Sequence, residues 1–211
     1  MHMPQDLESY ASQHCSPLEP LLQEVLAYTE QHHPKAHMIS GAVQGLLLQQ
    51  LSHMLRPKRI LEIGTFTGFS ALCLAAGLPE DGLLYTLEMR AEDAATAQSF
   101  FDRSEKKNQL RLLQGDARQI IPTLQESWDL VFIDADKISY IDYYNMLVPR
   151  MAAGSFLLAD NVLFHGEVLQ DELKGKNAKA IAAFNAHVQG DDRTQNVLLT
   201  VRDGLMLIRK K

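Results

Sequence analysis

The run Arg59-Ile-Leu-Glu-Ile-Gly-Thr-Phe-Thr-Gly-Phe-Ser70 restricts the fold more than any other part of the chain. Ile60, Leu61 and Ile63 suit a strand buried on both faces, Gly64 and Gly68 let the backbone turn tightly and approach a ligand, and the Ala/Leu-rich residues that follow read as a helix. Strand, glycine loop and helix in this order open an α/β unit that binds nucleotide-like cofactors. The spacing Gly64-x-x-x-Gly68 is not the G-x-G-x-x-G of dinucleotide sites, and no Gly-Lys-Ser/Thr is present to hold a triphosphate. Glu62 would repel a pyrophosphate and welcome a cation, such as the amino or sulfonium group of S-adenosylmethionine (SAM). A glycine turn without a ligand is the competing reading.

With 211 residues, 46% hydrophobic and 22% charged, the chain can bury one substantial core, so a single domain over residues 1–211 is expected, with residues 1–55 as its N-terminal helical extension. A formal net charge of −6 argues against a nucleic-acid partner, which calls for clustered Lys and Arg, and favours a small molecule. Cys15 and Cys73 cannot build a disulfide framework or a zinc site, no apolar run approaches the roughly 18 residues of a membrane span, and the N-terminus lacks a signal-peptide core. A cytoplasmic protein without membrane contact is expected.

Residues 1–16 are polar and carry no functional signal. Leu18, Leu21, Leu22, Val25 and Leu26 have helical spacing and stop before His32-His33-Pro34. Pro34 lies between His33 and His37, so these read as surface histidines and not as a metal pair. Residues 39–55 read as a helix with Ser40 as N-cap. After the glycine loop, the pattern predicts a helix over 70–77, a strand over 83–87, a helix over 91–107, a strand over 110–113 and a turn at Gly115-Asp116-Ala117, where an adenine ring would lie. A strand over 128–134, a helix over 138–148, a strand over 156–159, a charged loop over 166–175 and a helix over 177–188 follow. Residues 197–201 and 205–208 flank Arg202-Asp203-Gly204 as a β-hairpin.

Strands alternating with helices imply a doubly wound α/β sheet whose parallel strands end on one rim, and ligands bind outside those carboxyl ends. Glu62, Gly64, Glu88, Ala117, Asp134, Asp136, Lys137, Asp160 and Asn161 should therefore share one rim. Glu88, at the end of the second strand about 20 residues past the loop, is placed to accept both hydrogen bonds of a ribose diol. Asp134, Asp160 and Asn161 offer three hard oxygen ligands, the set expected for Mg²⁺, Ca²⁺ or Mn²⁺ and a poor one for zinc. Helix caps or turn acids are the plainer account of Asp134 and Asp160.

These residues resemble the class I, SAM-dependent and cation-dependent O-methyltransferases of the caffeoyl-CoA and catechol type. The resemblance runs from Met38 to Val168 through Leu61-Glu-Ile-Gly-Thr-Phe-Thr-Gly-Phe-Ser70, Leu130-Val-Phe-Ile-Asp-Ala-Asp-Lys-Ile-Ser-Tyr140 and Asp160-Asn-Val-Leu-Phe-His-Gly-Glu-Val168. It implies a Rossmann-like seven-stranded sheet, mostly parallel with an antiparallel last strand, helices on both faces, and a homodimer. It also implies that Met38, Ser40, Glu62, Gly64, Thr65, Ser70, Glu88, Ala117, Asp134, Asp136 and Tyr143 surround SAM, and that Asp134, Asp160 and Asn161 hold the cation, Mg²⁺ first among candidates.

The implied reaction is in-line transfer of the sulfonium methyl to one oxygen of a vicinal diphenol chelated to the cation. A phenol with a pKa of about 10 is a weak nucleophile near neutrality, and a divalent cation would stabilise the phenolate and fix its position. Lys137 is the candidate proton acceptor, on the premise that the positive charges of the nearby cation and cofactor lower its pKa, and steering of an anionic substrate is its other reading. Phe164-His165 stands where plant relatives show Trp-Asn, so His165 is the candidate substrate contact and the acceptor is expected to differ. With no basic N-terminal motif for CoA, small catechols are favoured. The rivals are an NAD-dependent Rossmann oxidoreductase, disfavoured by the glycine pattern, and a SAM-binding module without turnover.

Overall fold

A computed structural model describes residues 5–211, with side chains from Leu7 onward. Residues 1–4 of the polar start lie outside the described residues. The helices are α1 (Gln5–Gln13), α2 (Pro20–His32), α3 (Ala42–Leu55), α4 (Phe69–Ala75), α5 (Ala91–Phe101), α6 (Ala117–Ile120), α7 (Tyr140–Leu147) and α8 (Lys176–Gln189). The strands are β1 (Arg59–Ile63), β2 (Leu83–Glu88), β3 (Leu110–Gln114), β4 (Trp128–Ile133), β5 (Met151–Asp160), β6 (Thr194–Leu199) and β7 (Leu205–Lys210).

They form one seven-stranded sheet in the order β3-β2-β1-β4-β5-β7-β6. β1 to β5 run parallel, and β7 pairs antiparallel with both β5 and β6. The expected Rossmann-like sheet with an antiparallel final strand is what the chain forms. Period-2 alternation on the central strands explains its two apolar layers. Ile60, Leu130, Phe132 and Leu158 join the core that α2, α3, α4 and α5 cover. Leu61, Ile63, Val131, Ile133 and Leu157 point to the opposite core, under α7 and α8. Burying each such side chain is worth about 1.5–3 kcal/mol, and none of these nine is more than 1% exposed. No helix among the described residues is long and apolar enough to cross a membrane.

Several boundaries differ from the sequence reading. Ser40 does not cap α3: Gly41 stands at the cap with no side-chain bond, and Ser40 is buried ahead of it. Helix α5 ends at Phe101, because Phe100 and Phe101 close the core and the Gln109 amide then ties the chain to the carbonyls of Pro79 (2.6 Å) and Gly82 (2.8 Å). Lys137–Ser139 form a 3-10 turn, so α7 begins at Tyr140. Part of the expected loop after Gly166 belongs to a kinked 3-10 stretch, Phe164–Leu169.

Candidate active site

The sheet order reverses between β1 and β4, and the loops leaving these two strands face each other there. Asp134 N–H donates to the Ile63 carbonyl (2.9 Å) and Gly64 N–H to that of Leu87 (3.0 Å). Gly64 has φ +99°, and a Cβ on it would lie 1.9 Å from the Asp134 carbonyl oxygen. The glycine therefore serves a close approach of backbone to backbone: it lets β1 and β4 release their loops side by side. The tight turn expected at Gly64 is present, and the residue lines the cavity as well.

A cavity of about 1400 Å³ opens at this rim. It exceeds the roughly 300–1,000 Å³ of an ordinary small-molecule site, which leaves space for two ligands. Met38, Ser40, Gly64, Thr65, Ser70, Glu88, Ala117, Asp134, Asp136, Lys137, Tyr143, Asp160, Asn161 and His165 all line it. Glu62 alone among the expected residues does not. Its carboxylate is fully buried behind the loop, accepting a bond from Thr86 Oγ1, while Oε1 is left without a hydrogen bond. Burial, with the charges of Asp134 and Glu88 adding, pushes the Glu62 carboxyl up to about 8, offset in part by Ser70 and Thr86.

On the β1–β2 side, Glu88 Oε2 accepts from Phe66 N–H (2.8 Å) and Oε1 from Arg90 N–H (2.9 Å). Each oxygen keeps a lone pair for a ribose hydroxyl. Arg90 also meets Asp93 and lies over the Phe66 ring, 5.6 Å from its centroid. Asp136 accepts from Tyr143 OH (2.7 Å) and from Ser139, which fixes its carboxylate beside Ala117 at the cavity wall.

On the β4–β5 side, Lys137 Nζ donates to Asp134 Oδ1 (2.9 Å), Asn161 Oδ1 (2.8 Å) and Tyr140 OH (2.8 Å). Asp160 Oδ2 accepts from Gln44 Nε2 (2.7 Å) and Oδ1 from Asn161 N–H (2.8 Å). Burial and the Asp134 charge push the Asp160 carboxyl up to about 6. Burial works against charge on Lys137, but Asp134, Tyr140 and Asp160 outweigh it and hold the ammonium above the ordinary lysine range. The expected lowering of the Lys137 pKa rests on the charges of a bound cation and cofactor; the protein's own carboxylates, taken alone, act in the opposite direction. His165 sits in left-handed backbone (φ +55°), with its ring 3.6 Å from the Asp203 carboxylate.

Sequence reasoning missed four partners. Tyr140 carried a signal, standing three residues after Lys137 at a helix start. Gln44, Arg90 and Asp203 act across 116, 2 and 42 residues from Asp160, Glu88 and Asn161, and nothing local in the first and last pairs marks them.

A model of the O-methyltransferase family matches residues 12–211. The chain belongs to the O-methyltransferase family. It is similar to the catechol O-methyltransferase of Niastella koreensis, 37% identical over 147 residues that cover 68% of this chain and 66% of that protein, just under two thirds of its length. Similarity to a caffeoyl-CoA O-methyltransferase of Populus trichocarpa is 28% over 92% of this chain and 83% of that one. Among solved structures, an O-methyltransferase from Bacillus cereus in complex with S-adenosylhomocysteine (SAH) superimposes with a TM-score of 0.89 at 29% identity, covering 98% of this chain and 97% of that chain. Membership in the family fits the glycine loop, the strand-end carboxylate Glu88 and the two-ligand cavity. It disfavours the NAD reading.

Proposed function

We propose that this chain transfers the methyl group of SAM to one hydroxyl of a catechol-like vicinal diphenol with the help of a divalent cation, releasing SAH, the methyl ether and a proton. The observation that carries the reading is the convergence of Asp134 Oδ1 and Asn161 Oδ1 on one cationic point, now Lys137 Nζ, with buried Asp160 beside them. No group of three or more His, Cys, Asp and Glu side chains suited to a metal occurs among the described residues. The candidate set is two carboxylates and an amide, an all-oxygen set that fits Mg²⁺, Mn²⁺ or Ca²⁺. Burial first and the neighbouring Asp134 charge second raise the Asp160 carboxyl, and a cation beside it would offset both. For SAM, the buried and unpaired Glu62 Oε1 is an acceptor awaiting a donor near the glycine loop.

A bound divalent cation would acidify the phenol, hold both its oxygens and, by its charge, favour neutral Lys137. Asp134, Asp160 and Asn161 would hold it. Lys137, having given its own proton to solvent, would accept the phenol proton at Nζ as the neutral amine, and Tyr140 OH is its hydrogen-bond partner there. Glu88 and Asp136 orient the adenosyl part, with Met38, Ser40, Thr65, Ser70, Ala117 and Tyr143 walling it from water. His165 lies at the acceptor end. A cytoplasmic setting suits the two free cysteines, one of them buried, and a homodimer is the expected assembly, to be checked by light scattering.

The test is SAH formation from SAM with a panel of catechols, with Mg²⁺ and with excess EDTA. Turnover lost in EDTA and restored by metal is expected. Turnover indifferent to EDTA would remove the cation from Asp134, Asp160 and Asn161, and SAH binding without turnover on any diphenol would leave only a binding module.

A further inference from the structure

The tip of the β6–β7 hairpin does more than close the sheet edge. Asp203 is a carboxylate only 9% exposed, and its side-chain partners Asn161 and His165 belong to the segment that follows β5. Its Oδ1 accepts from His165 N–H (2.6 Å), its carbonyl from Leu163 N–H (2.9 Å), and the Gly204 carbonyl from Val162 N–H (3.1 Å). Gly204 has φ +87°, and a Cβ there would come within 2.6 Å of Leu163 Cγ, so tip and loop touch at glycine distance. Arg202 pins the tip from the other side through the Ile39 carbonyl (3.0 Å).

Asp203 Oδ2 faces Asn161 Nδ2 at 3.4 Å, while Asn161 Oδ1 accepts from Lys137 at 2.8 Å. The amide therefore stands between a group that can only accept and a group that can only donate. One orientation satisfies both: nitrogen to Asp203, oxygen to the ammonium. Asn161 also holds left-handed backbone (φ +56°), a conformation that asparagine adopts more readily than most residues.

We propose that Asp203 is a positioning residue that locks the Asn161 amide with its oxygen toward the cation and so sets the affinity for that cation. This rests on the cation-dependent reading above. A flipped amide would aim its NH₂ at the cation and its oxygen at the Asp203 carboxylate, losing a ligand and adding a repulsion. Partners of this kind, one step behind the ligands, change metal affinity by about 10–100-fold when altered.

The test is a double-mutant cycle on the full chain with SAH bound, reading Mn²⁺ affinity from the electron paramagnetic resonance of the free ion. Asp203→Asn keeps an acceptor for His165 N–H but no longer dictates the amide's orientation. It is expected to weaken Mn²⁺ binding about 10–100-fold while SAH affinity stays within about twofold. Asn161→Asp presents oxygen whichever way it turns, so in that background Asp203→Asn should cost less than about threefold. Equal losses in both backgrounds would mean that Asp203 acts only by charge or by holding the loop, and would overturn the inference. So would Mn²⁺ affinity unchanged by Asp203→Asn in the otherwise native chain. A native protein that binds SAH but no Mn²⁺ would instead remove the cation reading, and this inference with it. Should Asp203→Asn fail to fold, Asp203→Ser, whose hydroxyl can still accept from His165, takes its place in the cycle with the same two outcomes.

Discussion

On the β1–β2 side of the cavity, the Glu88 carboxylate is held by the backbone N–H groups of Phe66 and Arg90, whereas on the β4–β5 side Asp134, Asp160 and Asn161 lean on side chains brought in from α3, the 137–140 turn and the hairpin tip. Backbone donors come with the loop and cost nothing further to position. Side-chain donors must be delivered by tertiary packing, and each can be deleted singly. The difference predicts robust cofactor binding beside a reactive corner that substitution can silence, and the two sides can be perturbed separately.

The sharpest separation is expected from Lys137→Ala. Loss of a positioned proton acceptor should lower turnover by about 10²–10⁴-fold, while SAH affinity, measured calorimetrically, moves by less than about threefold because Glu88 and the glycine loop are untouched. Parallel losses of turnover and affinity would show that the two sides are not independent and that Lys137 serves the cofactor rather than the acceptor. The pH profile adds a check. In the cation-free chain, Asp134 and its neighbours hold Lys137 protonated, so any residual turnover in EDTA should be confined to high pH.

Gly64→Ala should break both sides together. Its Cβ has no room beside the Asp134 carbonyl, and the residue sits at φ +99°, so the loops of β1 and β4 must part. Strain of this kind with a backbone clash costs on the order of 3 kcal/mol or more. For a chain of this size that is a fall in Tm of about 6–12 °C, visible in a thermal scan, accompanied by weaker SAH binding and lower turnover. A variant of native stability that lost only turnover would mean that the two loops are not joined through this contact.

What could be read in advance divides along the same line. The glycine loop, Glu88 and the strand ends follow from short-range pattern: period 2 in the strands, a turn, then a helix. That is enough to place Asp134, Asp136, Lys137, Asp160 and Asn161 on one rim, because parallel strands share an edge. It does not say which side chains from elsewhere complete the rim. Gln44 reaches Asp160 from a helix whose sequence shows only an apolar stripe, and Asp203 looked like an ordinary hairpin-turn residue. What the protein's own side chains add to the Lys137 shift was hidden for the same reason. It depends on Tyr140 and on both carboxylates at once, and therefore on the packed arrangement. Glu62 was placed on the rim by its strand position, yet pleating turns it inward, behind Thr65 and against Thr86.

That inward turn gives the smallest and most specific effect. Glu62 is charged with difficulty in the folded, ligand-free chain, with its carboxyl raised from an ordinary value of 4.5 to about 8 by burial first and by Asp134 and Glu88 after it. Between those two values the folded state holds a proton that the unfolded state has released. By linkage, the stability associated with this proton is fully present below about pH 4.5 and is lost as pH rises through about 8. Glu62→Gln keeps the shape and removes the titration. Its unfolding free energy, measured in urea from pH 5 to 9, should fall less steeply with pH than that of the native chain, by up to a few kcal/mol across the window. With SAM bound, the contrast should shrink, because a cationic amino group near Oε1 stabilises the charged carboxylate and draws off the proton. Native and Glu62→Gln chains with the same slope, with and without SAM, would show that this carboxylate is already ionised at neutral pH and that its burial is compensated by something other than the cofactor.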